Sequence, residues 1–222
     1  MSRRSKERLY APYHLGFQRH AAQRCAAGVD ADNHVFDTLG LPRITIDDYR
    51  RHMTMPVRDF YTALGVDLNV YTYDVISRLW LDYFNLRAVG AGLVPGALEA
   101  VRRLGEKGYT QSILSASYEV SLLEQCDALG LTEHMDSVSG LSDESARKKT
   151  DIGRRQMQQL GLTGDDAVLV GDMVADAELA QALGTRCILV PWGHNDEARL
   201  AKTGYPVAHS FEELEQMLDG MR

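Results

Sequence analysis

Cysteine is scarce in this sequence, and long apolar or basic runs are missing from it. Three cysteines, Cys25, Cys126 and Cys187, stand far apart among 222 residues. An odd number of cysteines without metal-like spacing argues against a disulfide framework and a zinc site, and fits a reducing cytosol. No apolar run is long enough to span a bilayer, and the basic residues 2–8 are not followed by an apolar segment. We therefore expect a cytoplasmic protein with no membrane partner and no secretory signal.

Charge and composition further limit the kinds of protein that this sequence can encode. The formal net charge is −7, with 45% hydrophobic and 25% charged residues, which is ordinary for a globular protein. A nucleic-acid binder needs a positive face, so we expect no nucleic-acid partner. The length suits one core carrying a smaller accessory domain, and either a monomer or a homodimer is compatible with it.

Strands and helices alternate in the second half of the chain. We predict strands at residues 110–114, near 137–138, at 167–170 and at 186–190, each separated from the next by a helix. Val168–Val170 and Ile188–Val190 are unbroken apolar runs, typical of strands buried on both faces. The pattern predicts an α/β fold with a doubly wound parallel sheet.

The segment before these strands shows helical spacing and no strand pattern. Gly40 is a plausible helix end, and Thr45 is a plausible N-cap with two acids in the following turn. We predict a small helical cap at residues 44–92, inserted into a core of residues 33–43 and 93–222. Residues 1–32 form an aberrant N-terminal segment, because residues 10–29 show neither strand alternation nor a helical stripe.

Two carboxylates follow one of the predicted strands. Asp172 comes directly after Val168–Gly171, and Asp176 lies four positions later at the start of a helix. Ligands bind at the carboxyl ends of strands in open α/β sheets, and two carboxylates there suit Mg²⁺. On this pattern alone, a purely structural interpretation is equally good. In it, Asp172 is a turn residue and Asp176 is an acid at the start of a helix.

Two weaker signals accompany the carboxylates. Ser115 follows a predicted strand, where a hydroxyl can bind a phosphate oxygen, although serines at such places are usually caps or turn formers. Lys148 and Lys149 precede a helix. A lysine there can neutralise a phosphate, although an isolated basic cluster is more often a solvated surface.

The order of these signals resembles motifs two, three and four of the haloacid dehalogenase superfamily. The resemblance runs from about Asn33 to the C-terminus, and the predicted cap looks like that of the phosphoglycolate-phosphatase-like branch. It implies a Rossmannoid core in which Ser115 and Lys149 are catalytic and bind phosphate. It also implies that Asp172 binds Mg²⁺, with Asp176 as a direct or an indirect ligand.

The first motif of this superfamily is missing from the sequence. In the family, the first Asp of an Asp-x-Asp-Gly-Thr-like motif ends the first strand, attacks phosphorus and forms a phospho-aspartate. Asp30 and Asp32 are poor candidates, because His34 stands in place of the Thr and residues 26–29 make a poor buried strand. We expect both to be exposed acids near a helix.

A change of reading frame restores the missing motif. Permitted codons for His14–Cys25, read one base later, can spell Ile-Trp-Asp-Phe-Asn-Gly-Thr-Leu-Leu-Asn-Asp, which resembles a first motif with Asn as its second polar residue. We predict that residues from roughly 10 to 32 are a frameshifted translation, with the hidden nucleophile overlapping the codon of Gly16. The chain as written then has a non-native N-terminus, no central first strand and little or no phosphatase activity. Coincidence is the alternative, since synonymous codons leave freedom at each step.

Three functions follow from these interpretations. The resemblance implies a Mg²⁺-dependent phosphatase acting on a small phosphorylated metabolite, with phosphoglycolate as the nearest named substrate. A catalytically dead binding protein that keeps the fold is the alternative, and it suits the sequence as written. A phosphotransferase similar to β-phosphoglucomutase needs the same missing Asp.

Overall fold

The computed structural model describes residues 8–12, 21–87, 93–141 and 149–221. The described strands are β1 (Arg8–Pro12), β2 (Thr110–Tyr118), β3 (Ser137–Leu141), β4 (Ala167–Gly171) and β5 (Arg186–Leu189). The described helices are α1 (Ala21–Leu39), α2 (Ile46–His52), α3 (Val57–Ala63), α4 (Tyr73–Arg87), α5 (Ala97–Glu106), α6 (Glu119–Ala128), α7 (Lys149–Leu160), α8 (Val174–Leu183), α9 (Glu197–Ala201) and α10 (Phe211–Gly220). The predicted alternation of strands and helices is confirmed within these ranges.

The strands form one parallel sheet in the order β3-β2-β1-β4-β5. Strand β1 is central: Tyr10 lies opposite Ser112 of β2 and Leu169 of β4. The expectation that the chain lacks a central first strand is therefore wrong. Peptide groups in the middle of a sheet need hydrogen-bond partners, and an extended segment provides them whatever side chains it carries.

Helix α1 covers residues for which we expected no regular structure. It begins at Ala21 and ends at Leu39, where Gly40 follows with a φ of 70°. The predicted helix end is thus confirmed, but the helix reaches well back into the segment that we considered aberrant. Val29 and Phe36 lie two turns apart on its buried face, a spacing that an amphipathic helix requires.

Helices cover both faces of the sheet, as in a doubly wound fold. Because successive side chains of a strand point to opposite faces, β4 contributes to two apolar clusters. Val168 and Val170 pack with residues of α5, α6 and α10. Ala167 and Leu169 pack with residues of α7 and α8. The predicted α/β fold class is confirmed.

A third apolar cluster belongs to the helical cap. It joins α1 to α2, α3 and α4 through buried residues that include Phe36, Tyr49, Phe60, Tyr61 and Ile76. Between residues 44 and 87, the structure describes helices and no strand. The cap boundaries at residues 44–92 stay a prediction, and α1 packs on the cap although we assigned it elsewhere. In the described ranges, no helix combines the length and apolar character needed to cross a membrane.

The cap helix α2 begins with a capping box at Thr45, as its sequence predicts. The Thr45 hydroxyl accepts a hydrogen bond from the Asp48 amide at 3.1 Å, and the Thr45 amide donates to the Asp48 carboxylate at 3.0 Å.

Thr45→Ala is expected to lower the free energy of unfolding by about 1 kcal/mol, because the Asp48 amide loses its hydrogen-bond partner. Urea unfolding measures this, with Thr62→Ala as a control in which only a hydroxyl bond within α3 is lost. Equal losses in both variants would contradict the capping role.

Candidate active site

Asp172 lies at the carboxyl end of β4, directly after Gly171, and is fully buried. Its Oδ2 accepts a hydrogen bond from the His194 amide at 2.7 Å. Its Oδ1 is buried and finds no hydrogen-bond partner in the described part of the chain. Buried polar atoms are almost always paired, so an unpaired carboxylate oxygen indicates a place for a ligand that the protein itself does not supply.

The environment of Asp172 is one that a cation would complete. Burial, and then the nearby charge of Asp176, raise the pKa of Asp172 well above its usual range. Keeping this carboxylate ionised out of water is costly unless an opposite charge lies beside it. Mg²⁺ prefers carboxylate oxygens, so the unpaired Oδ1 of Asp172 fits the predicted metal ligand.

Asp176 is held by the protein through both of its oxygens. Oδ2 accepts hydrogen bonds from the amides of Asp172 and Met173, at 3.0 and 3.1 Å, and Oδ1 accepts one from Lys149 Nζ at 2.7 Å. The side chain is 2% exposed. These bonds fix the turn that carries Asp172, and whether Asp176 is a direct or an indirect ligand stays a prediction.

Lys149 is the first residue of α7, and its ammonium reaches the strand ends. It forms an ion pair with the buried Asp176 at 2.7 Å, and its charge also opposes the rise in the pKa of Asp172. The structure thus brings Lys149 together with both carboxylates, as the resemblance implies. Lys148 and Arg147 lie outside the described residues.

Ser115 is fully buried within β2, which continues to Tyr118 beyond the predicted strand end at Leu114. Its Oγ accepts a hydrogen bond from the Ser117 amide at 3.0 Å. The pairing of β2 with β3 shifts register between Leu114 and Tyr118, so the strand is irregular here. Ser115 therefore lies where the strand changes course, and its phosphate-binding role stays a prediction.

The loop after β5 completes the site. Residues 192–195 border Asp172 and also carry a packed Trp. Trp192 packs on Phe211 with ring centroids 5.3 Å apart. A Cβ on Gly193 would lie 1.8 Å from Asp172 Oδ2, so only glycine lets the loop approach this carboxylate.

The same loop connects the core to the cap. Asn195 accepts a hydrogen bond from the Val174 amide at 2.9 Å and donates one to the Met53 carbonyl at 2.8 Å. His194 Nδ1 lies 2.8 Å from the Tyr49 hydroxyl. Arg199 also donates to the Met53 carbonyl, at 2.6 Å. These contacts fix the C-terminal end of α2 beside the strand that carries Asp172.

No nucleophilic carboxylate accompanies these residues in the described structure. Strand β1 points its carboxyl end in the same direction as β2 and β4, but Arg8–Pro12 contains no acid, and the sequence has no Asp or Glu between residues 8 and 29. The described ranges also bring together no group of three side chains able to hold a metal ion. Asp30 and Asp32 lie within α1.

A cavity of about 440 Å³ lies between the cap and the strand ends. Its core side includes Ser117, Met173 and His194, each adjacent to a residue of the candidate site or bonded to one. Among the described residues, its cap side is mainly aromatic and includes the carboxyl group of Asp32. The cavity is therefore placed to hold the part of a ligand that extends from the strand ends into the cap.

Asp32 is not the exposed acid that we expected. It is 2% exposed and accepts a hydrogen bond from the Tyr61 hydroxyl at 2.7 Å. Burial raises the pKa of Asp32 to about 7, although its bonds to Tyr61 and Trp80 act in the opposite direction. The expectation fails because these partners come from α3 and α4, which fold back on α1. Asp30 is exposed as expected.

The family model described as haloacid dehalogenase-like hydrolase matches residues 24–190. The chain belongs to this family. Phosphoglycolate phosphatase from Mesorhizobium japonicum is 29% identical over 176 residues, or 76% of this chain and 77% of that protein. Glyceraldehyde 3-phosphate phosphatase from Pyrococcus furiosus is 27% identical, over 86% of this chain and 90% of that protein.

The fold is also found among solved structures. A haloacid dehalogenase-like hydrolase from Streptococcus pneumoniae superimposes with a TM-score of 0.79 at 19% identity, over 96% of this chain and 99% of that one. The resemblance to the phosphoglycolate-phosphatase-like branch, and the core with its helical cap, are thereby confirmed. The family match begins after β1, so it leaves out the segment in which the first motif is missing.

The buried Asp32 should make stability depend on pH. The folded state keeps a proton on Asp32 up to a pKa of about 7, whereas the unfolded chain loses it near 3.8. The contribution of this group is therefore lost as the pH rises between those values, by up to about 4 kcal/mol. Urea unfolding from about pH 4.5 to about pH 7.5 should show a decline in stability that Asp32→Asn removes. Asp30→Asn, on the same helix, should keep it, and a decline unchanged in Asp32→Asn would contradict this account.

Proposed function

We propose that the intact gene product is a Mg²⁺-dependent phosphatase that hydrolyses a small phosphorylated metabolite. The observation that carries the proposal is the buried, unpaired Oδ1 of Asp172, at a strand end beside the Lys149 ammonium. Membership of the haloacid dehalogenase-like hydrolases and similarity to two phosphatases support the same activity. The three cysteines, all buried and none in a disulfide with another of them, suit the reducing cytoplasm in which we place the protein.

Each site residue has a distinct part in this proposal. Asp172 would hold Mg²⁺, which when bound supplies positive charge that stabilises the charge developing on the phosphoryl group. The Lys149 ammonium would neutralise a phosphate oxygen while remaining paired with Asp176. The Ser115 hydroxyl would donate a hydrogen bond to another phosphate oxygen. Asp176 would position both Lys149 and the turn at Asp172.

The nucleophile would come from a corrected reading frame. Phospho-aspartate chemistry needs a carboxylate that attacks phosphorus, expels the organic alcohol and is then regenerated by water. The chain as written offers no acid in residues 8–29, and the shifted frame supplies one. The family match from residue 24 and the close packing of Val29 support a return to the native frame before Val29. The frameshifted stretch would then end earlier than Asp32.

A binding protein without catalysis is the second candidate. The specific observation in its favour is the missing acid after β1, in a chain that nevertheless builds the central strand and the remaining site. Such a protein would hold a phosphate ester with Ser115 and Lys149 but release no phosphate. The two candidates predict different gene sequences and different rates of phosphate release. Restoring the reading frame separates them.

Restoring the frame should create the activity. The gene should encode Asp-Phe-Asn-Gly-Thr across the codons of Gly16 to Ala21 in the shifted frame. A protein made with that segment should release phosphate from 4-nitrophenyl phosphate with Mg²⁺, and EDTA should abolish the release. The chain as written should be at least about 1000-fold slower, since removing a nucleophile costs that much or more. Changing the restored Asp to Asn is the matched control.

Two results would contradict this part of the proposal. If the codons of residues 14–24 do not spell the motif in the shifted frame, the frameshift explanation fails. If the chain as written hydrolyses the ester at a comparable rate, the nucleophile lies elsewhere.

Asp172→Asn tests the metal ligand independently of turnover. In wild-type protein, about 10 mM Mg²⁺ should raise the thermal unfolding temperature, because a ligand that binds only the folded state stabilises it. Asp172→Asn should remove this rise, and Asp176→Asn should weaken it less, because its oxygens bond to protein donors. Asp165→Asn, in the loop before β4, should leave it unchanged. A full Mg²⁺ response in Asp172→Asn would rule out this residue as the ligand.

A further inference from the structure

The cap side of the cavity has the chemistry of a cation-binding box. Its walls carry six aromatic side chains: Tyr49, Phe60, Tyr61, Tyr73, Trp80 and Phe84. Among the described residues that line the cavity, Asp32 is the only acid and there is neither Lys nor Arg. Aromatic faces attract cations through their quadrupole, and a buried carboxylate attracts them more strongly.

In the described part of the chain, the Asp32 carboxyl group is held by neutral partners and has no basic one. The Tyr61 hydroxyl donates a hydrogen bond to Oδ1 at 2.7 Å, and Trp80 supplies a second neutral interaction. No ion pair joins Asp32 to a basic side chain in the described part of the chain. A carboxylate oxygen can accept more than one hydrogen bond, so Asp32 can receive a further donor from a ligand. A ligand that brings a positive charge would offset the cost of ionising this buried group.

Size and charge both argue against a small anionic leaving group. A cavity of about 440 Å³ is within the range of pockets that take drug-sized ligands, whereas glycolate has two carbons. Among the described lining residues, the glycolate carboxylate would meet a buried acid and no Lys or Arg. Binding would either place two anionic carboxylates together out of water or require Asp32 to stay protonated, and in neither case would the glycolate charge gain a cationic partner. The named substrate of the Mesorhizobium relative therefore suits this cavity poorly.

We propose that the cavity binds the organic half of a phosphate monoester that carries an aromatic or similarly bulky apolar group and a protonated amine, with the amine paired to Asp32. This inference rests on the proposed function, because the phosphate is assigned to the strand ends. It makes Asp32 a specificity-determining residue. A purely structural role, in which Asp32 only joins α1 to α3 and α4, is the competing explanation.

A series of phenyl phosphates of nearly equal size distinguishes these explanations. The chain as written is used, so that binding is measured without turnover, by isothermal titration calorimetry with Mg²⁺ present. The probes carry a two-carbon chain opposite the phosphate that ends in an ammonium (tyramine phosphate), a hydroxyl, a methyl or a carboxylate. Phosphoglycolate and unphosphorylated tyramine complete the series.

Tyramine phosphate should bind about 10-fold more tightly than the methyl and hydroxyl probes, and the carboxylate probe and phosphoglycolate should bind most weakly. Asp32→Asn should reduce the affinity for tyramine phosphate by about 10-fold and change that for the methyl probe by less than about 2-fold. Asp30→Asn, exposed on the same helix, should change neither.

Other outcomes overturn the inference. It fails if the carboxylate or hydroxyl probe binds wild-type protein as tightly as the amine, a comparison that needs no variant to fold. It also fails if Asp32→Asn leaves the preference intact, or if tyramine phosphate shows no saturable binding. If tyramine and tyramine phosphate bind equally well, the amine site stands and the assignment of the strand ends to phosphate fails. If the phosphate improves binding but the amine does not, the proposed function stands and this inference fails.

Discussion

The buried carboxylate of Asp176 holds together the turn on which the candidate site depends. One oxygen accepts hydrogen bonds from the amides of Asp172 and Met173, and the other accepts one from the Lys149 ammonium. The turn after β4 and the beginning of α7 are thereby fixed to the same group. A Cβ on Gly171 would lie 2.3 Å from the Asp176 Cβ, so glycine before Asp172 is a condition of this arrangement. Asp172 can then keep one oxygen unpaired without the turn rearranging to satisfy it.

The cap is joined to this turn through the Met53 backbone carbonyl and through the Tyr49 hydroxyl, which lies 2.8 Å from His194 Nδ1. Asn195 joins the Val174 amide to the Met53 carbonyl, and Arg199 binds the same carbonyl. Apart from Tyr49, the aromatic residues of the cavity walls take no part in these contacts. Among the described residues they surround one acid, Asp32. In our proposals, the strand ends would therefore serve the phosphate and the cap would serve the organic group.

The sequence predicted those features that depend on a few neighbouring residues. An apolar run followed by Gly171 and Asp172 predicts a buried strand end, and Thr45 with Asp48 predicts a helix start. Strand β1 was missed because a central strand forms through backbone pairing, and Arg8–Pro12 carries no recognisable pattern of its own. The burial of Asp32 was missed because its partners, Tyr61 and Trp80, follow it at a distance in sequence. The hydrogen bonds of Asp176 were not foreseen, because its three donors come together only in the folded turn.

The central claim is that the unpaired oxygen of Asp172 is the cation ligand around which the site is built. A crystal of the chain as written, soaked in Mn²⁺ as an anomalous substitute for Mg²⁺, tests it most directly. The account predicts an anomalous peak in direct contact with Asp172 Oδ1, with Asp176 still bonded to Lys149. A strongest peak bound through Asp176, with Asp172 Oδ1 left unpaired or bonded only to protein atoms, would contradict it.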